Sequence, residues 1–335
     1  MSETIRVGLI GLGMMGRHHA RVVRETEGLE LVAVADAMGD AHNVAGQVPL
    51  YSNVSDLIKH GIDAAVVAVP TGLHEEVGLE LAAAGVHTLV EKPIAASTEA
   101  GQRMVDAFEA ANLVGAVGHI ERFNPALQEL RRRIDEGELG RVLQISTRRQ
   151  GPFPARIADV GGVKDLGTHD IDLTAWLARS EFVQVAAETA LASGRQHEDM
   201  VVAVGKLANG IITNHQVNWL SPMKERVTVV IGEKGAFVAD TLTADLTFHE
   251  NGSVATEWES ISNFRGVTEG NVTRFAFPKA EPLKTEHEAF RDGILGLDKR
   301  FVSMREGLAT LRVAEALIES ASTGASIDLS GAVSA

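Results

Sequence analysis

Residues 5–16 read IRVGLIGLGMMG, an apolar run that passes directly into the glycine pattern G-x-G-x-x-G. Residues 17–24 follow without Gly or Pro, as expected of a helix, and a second apolar run over 31–35 ends at Asp36. Asp36 stands about twenty residues after Gly16, the separation that dinucleotide-binding units show. The order of strand, glycine loop, helix, strand and acidic residue therefore predicts a βαβ unit that binds a dinucleotide.

Each part of this unit has a mechanical role in holding a dinucleotide. Gly11 permits the tight turn, Gly13 lets the backbone approach the pyrophosphate, and Gly16 lets the helix pack closely on the strand. The N–H groups and the dipole at the start of the helix then stabilise the pyrophosphate. The expected cofactor-binding residues of the loop are Gly11, Leu12, Gly13, Met14 and Met15.

Asp36 decides which nicotinamide cofactor is bound. A carboxylate at this position accepts hydrogen bonds from the adenosine ribose hydroxyls and repels the 2′-phosphate of NADP. The next residues, Ala37 and Met38, supply no cation that could hold that phosphate. The sequence therefore predicts NAD as the cofactor and a nicotinamide-dependent dehydrogenase as the activity.

The composition is that of a globular enzyme and argues against several other classes of protein. With 335 residues, of which 45% are hydrophobic and 23% charged, the chain is long enough for two domains. The net charge of −14 argues against nucleic acid or an anionic membrane as the partner, and no apolar run approaches the length of a membrane span. The absence of cysteine favours the cytoplasm, as does a strand that starts at residue 5 and leaves no room for a signal peptide.

Two strand patterns divide the chain near residue 123. Residues 1–123 alternate short apolar runs with amphipathic helices, which predicts a parallel-sheet Rossmann domain. Residues 124–335 show period-two alternation, which is typical of a large, mostly antiparallel open sheet. The predicted strands of the first part are 5–10, 30–35, 64–69, 87–90 and 114–118, and the later helices are placed at 126–136, 163–179 and 303–322. The predicted fold class is α/β, with an N-terminal Rossmann domain followed by an α/β domain.

Three further motifs lie where one known family has them. They are Val69-Pro70-Thr71 with His74, Glu91-Lys92-Pro93, and Asp165-Leu166-Gly167-Thr168-His169. With the glycine loop they resemble the glucose–fructose oxidoreductase / inositol dehydrogenase family, also called Gfo/Idh/MocA, over essentially the whole chain. The resemblance implies a second domain that binds substrate and whose open sheet often forms the oligomer interface, so a homodimer or homotetramer is expected.

The same resemblance implies an activity and roles for the motif residues. Substrates in this family are polyols, sugars and nucleotide sugars, in which a secondary alcohol and a ketone are interconverted. By motif match Lys92, Asp165 and His169 form the catalytic group, and the Lys92–Pro93 bond is expected to be cis. The residues expected to line the cofactor edge are Val69, Pro70, Thr71, His74, Glu91 and Lys92.

The chemistry of the catalytic group also follows from the residues themselves. Asp165 and His169 stand at i and i+4, so on a helix they share one face and can touch. The carboxylate can orient the imidazole, which can take the hydroxyl proton near neutral pH, while Lys92 supplies positive charge near the same oxygen. Which of Lys92 and His169 is the formal base stays open, with His169 favoured. The chemistry requires no metal ion, and none is expected.

Cation-rich segments in this acidic chain indicate an anionic substrate. Residues 141–158 contain four arginines and no acidic residue, and residues 219–226 add a tryptophan and two more cations. Since arginine matches phosphate geometry bidentately, these segments supply candidate contacts for a diphosphate. The candidates are Arg149, Arg156, Lys224 and Arg226. A solvated surface with chance charge is the alternative interpretation.

The sequence resembles one branch of this family in three segments, residues 118–125, 151–161 and 218–220. They look like the branch of the family that oxidises the 3-hydroxyl of UDP-N-acetylglucosamine, so His119 and Trp219 join His169 as expected substrate contacts. The wider family more often has an aromatic residue and then Asn or Arg where His119-Ile120-Glu121 stands, which weakens any transfer of the inositol pocket.

Two alternatives remain beside a nucleotide-sugar dehydrogenase. An inositol or free-sugar dehydrogenase is the commoner activity that the resemblance implies. A non-catalytic NAD-binding regulator belongs to another functional class, and the presence of Lys92, Asp165 and His169 together argues against it.

Overall fold

The computed structural model describes residues 4–153, 160–194, 196–252 and 270–332, which form two compact units. The first unit runs up to Phe123 and takes in Ala280–Glu315, and the second comprises Asn124–Lys279 and the chain from Ala316 onward. The first transition lies at the expected boundary between residues 123 and 124. The expected division at that single boundary needs correction, because Phe290, Leu308 and Leu311 are buried in the hydrophobic clusters of the first unit.

Six parallel strands form the sheet of the first unit, in the order β3-β2-β1-β4-β5-β6. Their bounds are β1 (Ile5–Ile10), β2 (Leu29–Ala35), β3 (Leu50–Tyr51), β4 (Ala64–Val67), β5 (His87–Glu91) and β6 (Gly115–Gly118). The central strands are buried almost throughout, as parallel strands are when both faces are covered. Because β1 lies between β2 and β4, the strand order reverses there, and α/β sheets bind ligands beyond the carboxyl ends of the strands at such a point.

The helices begin and end where capping residues and turns allow. Their bounds are α1 (Met14–Glu25), α2 (Val54–Lys59), α3 (His74–Ala83), α4 (Thr98–Ala110), α5 (Pro125–Asp135), α6 (Thr168–Ala178), α7 (Pro282–Ile294) and α8 (Met304–Thr323). Ser97 is the N-cap of α4, since its hydroxyl accepts a hydrogen bond from the Ala100 N–H. None of the helices in the described parts of the chain is long and apolar enough to cross a membrane.

The second unit contains a nine-stranded sheet in the order β14-β13-β12-β11-β7-β10-β9-β8-β15. Its strands are β7 (Val142–Pro152), β8 (Phe182–Ala190), β9 (Met200–Leu207), β10 (Ile212–Asn218), β11 (Leu220–Gly232), β12 (Gly235–Asp240), β13 (Asp245–Glu250), β14 (Val272–Arg274) and β15 (Ile327–Asp328). All neighbouring pairs are antiparallel except β7 and β10, which confirms a mostly antiparallel sheet. Buried and exposed residues alternate along β9, where Val202 and Val204 are half exposed.

The structure differs from the predicted elements mainly in short pieces. Strands β3, β14 and β15 are only two or three residues long, too short to show alternation in the sequence. Helices α2 and α7 were also not predicted. The helix expected over 163–179 is two elements, a π-helix at Val163–Gly167 followed by α6.

Candidate active site

The glycine loop has the geometry that its predicted roles require. Gly11 has a φ of +92°, and a Cβ there would lie 2.5 Å from the Ala68 carbonyl oxygen. A Cβ at Gly16 would overlap the carbonyl oxygen of Gly11, so α1 can start this close to β1 only with glycine. A Cβ at Gly13 would meet no atom within 4 Å. The space over Gly13, at the N-terminus of α1, is thus open for a pyrophosphate.

The Asp36 carboxylate is fixed by backbone N–H groups. One oxygen accepts a hydrogen bond from the Leu12 N–H at 2.7 Å, and the other accepts one from the Met38 N–H at 2.8 Å. Each oxygen has a second lone pair that can accept a ribose hydroxyl. The carboxylate therefore stands at the carboxyl end of β2, tied to the glycine loop, and its selection of NAD over NADP stays a prediction.

Two loops at the carboxyl ends of β4 and β5 are joined by His74. Its ring nitrogens lie 3.0 Å from the Val69 carbonyl oxygen and 2.9 Å from the Pro93 carbonyl oxygen. Burial lowers the pKa of His74, although the two carbonyl groups and Glu91 oppose that shift. With only 1% of its surface exposed, His74 holds the loops in place, and its direct contact with NAD stays a prediction.

The second of these loops carries the expected catalytic lysine. The Lys92–Pro93 peptide bond is cis, as expected. The Lys92 N–H donates to the Glu91 carboxylate at 3.1 Å, and that carboxylate also contacts the buried imidazole of His19 at 2.9 Å. Sequence reasoning gave His19 no role, and the position of a His within the α1 pattern offered no signal of its distant partner.

Asp165 and His169 lie where a π-helix passes into α6. Asp165 belongs to the π-helix and is buried, and His169 stands in the first turn of α6 and is partly exposed. Single π-turns within helices often occur at functional sites. Glu198 caps this segment, because its carboxylate accepts the Val163 N–H at 2.9 Å and its carbonyl accepts the Gly162 N–H.

The predicted diphosphate contacts are engaged by the protein to different degrees. Arg149 of β7 is buried and its Nε donates to the Asp170 carboxylate of α6 at 2.7 Å. Arg226 of β11 lies opposite Arg149 in the sheet and donates to the carbonyl oxygens of Gln150 and Glu225. Lys224 is exposed. Arg156 lies outside the described residues.

The two remaining predicted substrate contacts are buried. His119 follows β6 and is 1% exposed, and Trp219 is 3% exposed with its ring edge-on to Phe153, the centroids 5.4 Å apart. Their contact with substrate stays a prediction. Within the described ranges, the structure contains no group of three His, Asp or Glu side chains that could hold a metal ion.

Comparison with known proteins identifies both parts of the chain. The model of an oxidoreductase family with an NAD-binding Rossmann fold, Gfo/Idh/MocA, matches residues 5–119, and that of the family's C-terminal domain matches residues 127–238. The chain belongs to the Gfo/Idh/MocA family. The predictions of a Rossmann domain, of NAD as the cofactor and of an NAD-dependent dehydrogenase are therefore confirmed.

Relatives within the Gfo/Idh/MocA family carry two kinds of name. An inositol 2-dehydrogenase of Saccharopolyspora erythraea is 29% identical over 96% of this chain and 94% of its own length. The UDP-N-acetylglucosamine 3-dehydrogenase of Acidithiobacillus ferrooxidans is 34% identical over 63% of this chain and 66% of its own length. Its solved structure superposes with a TM-score of 0.83, at 26% identity, and covers 95% of this chain and 98% of its own.

A third relative was solved with both ligands bound. The WlbA dehydrogenase from Bordetella pertussis, in complex with NADH and UDP-GlcNAcA, has a TM-score of 0.79 and is 27% identical. The match covers 97% of this chain and 99% of that one. The fold described here is thus shared with relatives named for inositol and with relatives named for nucleotide sugars.

Proposed function

We propose that this protein oxidises the 3-hydroxyl of a nucleotide sugar such as UDP-N-acetylglucosamine, with NAD as the hydride acceptor. The observation that carries the proposal is the ion pair of Arg149 and Asp170, 2.7 Å long and buried. It anchors the helix of His169 on strand β7, beside the cations of β11. Because Arg226 of β11 pairs with Arg149 across the two strands, its side chain shares the face of the sheet on which the helix of His169 packs.

The cations of β7 and β11 that could contact a diphosphate differ in burial and in the protein groups that they already bind. Lys224 is exposed, and Arg226 is half buried with its guanidinium on two carbonyl groups. Arg149 already neutralises Asp170, so we assign it a supporting position and assign the direct contacts to Lys224 and Arg226, with Arg156 as a further candidate. Trp219 and His119 complete the proposed substrate contacts.

The reaction needs three contributions from the chain itself. NAD, when bound, accepts the hydride that leaves the carbinol carbon. His169 takes the hydroxyl proton as the C=O bond forms, and Asp165 orients its imidazole. Lys92 supplies positive charge that stabilises the developing alkoxide oxygen. Glycine loop residues Gly11 to Met15, with Asp36, bind the cofactor that these groups serve.

The experiment that tests the substrate is NADH formation across a panel of UDP-sugars, inositols and aldoses. We expect UDP-N-acetylglucosamine to give the highest kcat/KM. Lys224→Ala should raise KM for the UDP-sugar about tenfold, as loss of a phosphate contact does. Arg141→Ala, which removes an exposed cation paired with Glu233 at the start of the same sheet, should leave KM unchanged. A far higher kcat/KM with myo-inositol or glucose would overturn the proposal.

The catalytic assignment has its own test. Lys92→Ala and His169→Ala should each lower kcat by about 10²- to 10⁴-fold while the Kd for NAD changes little, because general acid–base and electrostatic contributions have that size. Wild-type rates in both variants would overturn the assignment of Lys92 and His169, whereas a wild type that turns over no sugar would support the non-catalytic regulator.

A second candidate function is an inositol dehydrogenase, and one observation favours it. The inositol 2-dehydrogenase of S. erythraea matches nearly the full length of this chain, whereas the nucleotide-sugar relative matches by sequence over 63% of it. The panel distinguishes the two, since only a nucleotide sugar needs the cations of β11. Under this second function Lys224→Ala would have no effect on KM.

We also propose a homodimer or homotetramer that assembles through the outward face of the nine-stranded sheet, in the cytoplasm. The outward side chains of β9 and β10 include Val202, Val204 and Ile212, which are 50%, 52% and 48% exposed. Three neighbouring half-exposed aliphatic side chains form a patch suited to association. Light scattering on the purified protein measures the mass, and a Val204→Glu variant should shift it toward the monomer.

A further inference from the structure

A continuous chain of hydrogen bonds between buried side chains runs through the interior of the first unit and ends at the backbone N–H of Lys92. His287 Nε2 lies 2.9 Å from His19 Nδ1, and His19 Nε2 lies 2.9 Å from Glu91 Oε1. The other oxygen of Glu91 accepts the Lys92 N–H at 3.1 Å. Both imidazoles have no exposed surface. Three hydrogen bonds thus connect a histidine of α7 to the expected catalytic lysine.

The fold brings these groups together from three distant parts of the sequence. His19 lies on α1, Glu91 ends β5, and His287 lies on α7, which returns to the first unit late in the chain. Gly118 at the end of β6 leaves room for the carboxylate, because a Cβ there would stand 3.3 Å from Glu91 Oε2. The site is therefore built for a carboxylate in this position.

The hydrogen bonds indicate which atoms of Glu91, His19 and His287 carry a proton. Burial alone would raise the pKa of Glu91, but the hydrogen bond from His19, together with the positive charge of Lys92, holds the pKa below its usual value. Glu91 is then an anion, which requires a proton on His19 Nε2. Burial lowers the pKa of His287 well below its usual value, so that imidazole is neutral and carries one proton.

The position of that one proton follows from the surroundings of His287. Its Nδ1 is buried and has no hydrogen-bond partner among the described residues. A buried N–H without an acceptor costs more than a bare ring nitrogen, so the proton belongs on Nε2 and is donated to His19 Nδ1. Hydrogen-bond donation therefore runs from His287 through His19 to Glu91, and the Glu91 carboxylate also accepts the Lys92 N–H.

We propose that His287 is a positioning residue for Lys92, acting through His19 and Glu91. The loop of Glu91 to Pro93 is then held from two sides, by this chain at its start and by His74 at the Pro93 carbonyl. An apolar residue could fill the space of His287 but could not direct the proton of His19 toward Glu91. The inference rests on the proposed function, in which Lys92 acts at the reacting oxygen.

The test compares three variants of the full-length protein. His287→Leu removes the donor, and His287→Gln restores an N–H near the position of Nε2. His87→Leu is the matched control, because His87 lies at the other end of β5 and accepts the Val114 N–H without any link to Lys92. We expect His287→Leu to lower kcat about 10- to 100-fold with KM and NAD affinity nearly unchanged, the size that a small misplacement produces. His287→Gln should recover most of that loss.

A second measurement needs no substrate. Two-bond ¹⁵N–¹H NMR should show His287 protonated on Nε2 and His19 protonated on Nε2. The amide ¹H–¹⁵N chemical shift of Lys92 should change in His287→Leu and not in His87→Leu, because the Lys92 N–H donates to Glu91. If the wild type turns over no sugar, the proposed function fails, but these two NMR results still test the series of hydrogen bonds from His287 to Lys92.

Three results would overturn the inference. One is a His287 protonated on Nδ1. Another is a wild-type kcat and a wild-type Lys92 amide chemical shift in His287→Leu. The last is an equal loss of kcat in His287→Leu, His287→Gln and His87→Leu, which would reduce His287 to a contributor to stability.

Discussion

The glycine loop of the first unit and the cation-bearing strands of the second handle charge in opposite ways. At the loop, the N-terminus of α1 attracts an anion, and no atom of the described residues lies within 4 Å of a Cβ built on Gly13. On β7 and β11, Arg149 and Arg226 already bind a carboxylate and backbone carbonyl oxygens. A cofactor site made of backbone can stay open in the folded chain, whereas long cationic side chains find acceptors of their own.

The largest expected effect is on stability, at the buried ion pair of the cation-bearing strands. Arg149→Met should lower the free energy of unfolding by about 3–5 kcal/mol, because it leaves Asp170 buried without its cation. Arg149→Met/Asp170→Leu, which removes both charges, should recover much of that loss. Arg226→Met is the control and should cost about 1 kcal/mol, since the Arg226 guanidinium donates to the carbonyl oxygens of Gln150 and Glu225. Equal losses in denaturant titrations of the two single variants would mean that the ion pair of Arg149 and Asp170 stabilises the fold no more than the carbonyl contacts of Arg226 do.

The pH dependence of stability tests another buried side chain of the same sheet. Burial lowers the pKa of His215 on β10 to about 4, where its ring contacts the Thr147 hydroxyl of β7. The unfolded chain binds this proton at a higher pH, so stability falls as the pH drops from about 6.5 to about 4, by roughly 3 kcal/mol from this group.

Unfolding measured over that range in His215→Gln should show a correspondingly weaker pH dependence. His249→Gln removes an exposed histidine and should reproduce the wild-type curve. A wild-type slope in His215→Gln would contradict the assignment.

Two variants test the space at the glycine loop. Gly16→Ala should cost about 2 kcal/mol of stability, since its Cβ overlaps the Gly11 carbonyl oxygen and the backbone must move. Gly13→Ala should change stability by less than about 1 kcal/mol and yet weaken NAD binding about tenfold, because the Cβ occupies the space of the pyrophosphate. Calorimetry of unfolding and of NAD binding separates the two effects. Unchanged NAD affinity in Gly13→Ala would show that the pyrophosphate does not approach there.

The smallest effect concerns cofactor choice. Asp36→Ala should weaken NAD binding relative to NADP by about 1–2 kcal/mol, because it removes the ribose acceptor and the charge that repels a 2′-phosphate. Asp40→Ala is the matched control, since the Asp40 carboxylate also accepts two backbone N–H groups, those of Val44 and Ala45. The ratio of the two Kd values should change only in Asp36→Ala; an unchanged ratio in that variant would remove Asp36 from cofactor selection.

The same contrast explains how far the sequence alone predicts this molecule. The parts of the dinucleotide unit are local: Gly11, Gly16 and Asp36 lie within one βαβ stretch, and their spacing carries the geometry. The partners of Arg149 and His19 lie 21 and 268 residues away, and no local pattern announces them. Helix α7 was missed for a related reason, since its buried residues are surrounded by charged ones.

The chain leaves the first unit after Phe123 and returns to it at Ala280. As the polypeptide emerges from the ribosome, the six-stranded sheet is therefore made long before the segment that contributes Phe290 to its core. Domains fold as units during synthesis, N-terminal first where the sequence permits. Here Asn124–Lys279 of the second unit emerges before Ala280–Glu315 can complete the first, so the NAD-binding unit starts first but cannot finish folding until most of the second unit has been made.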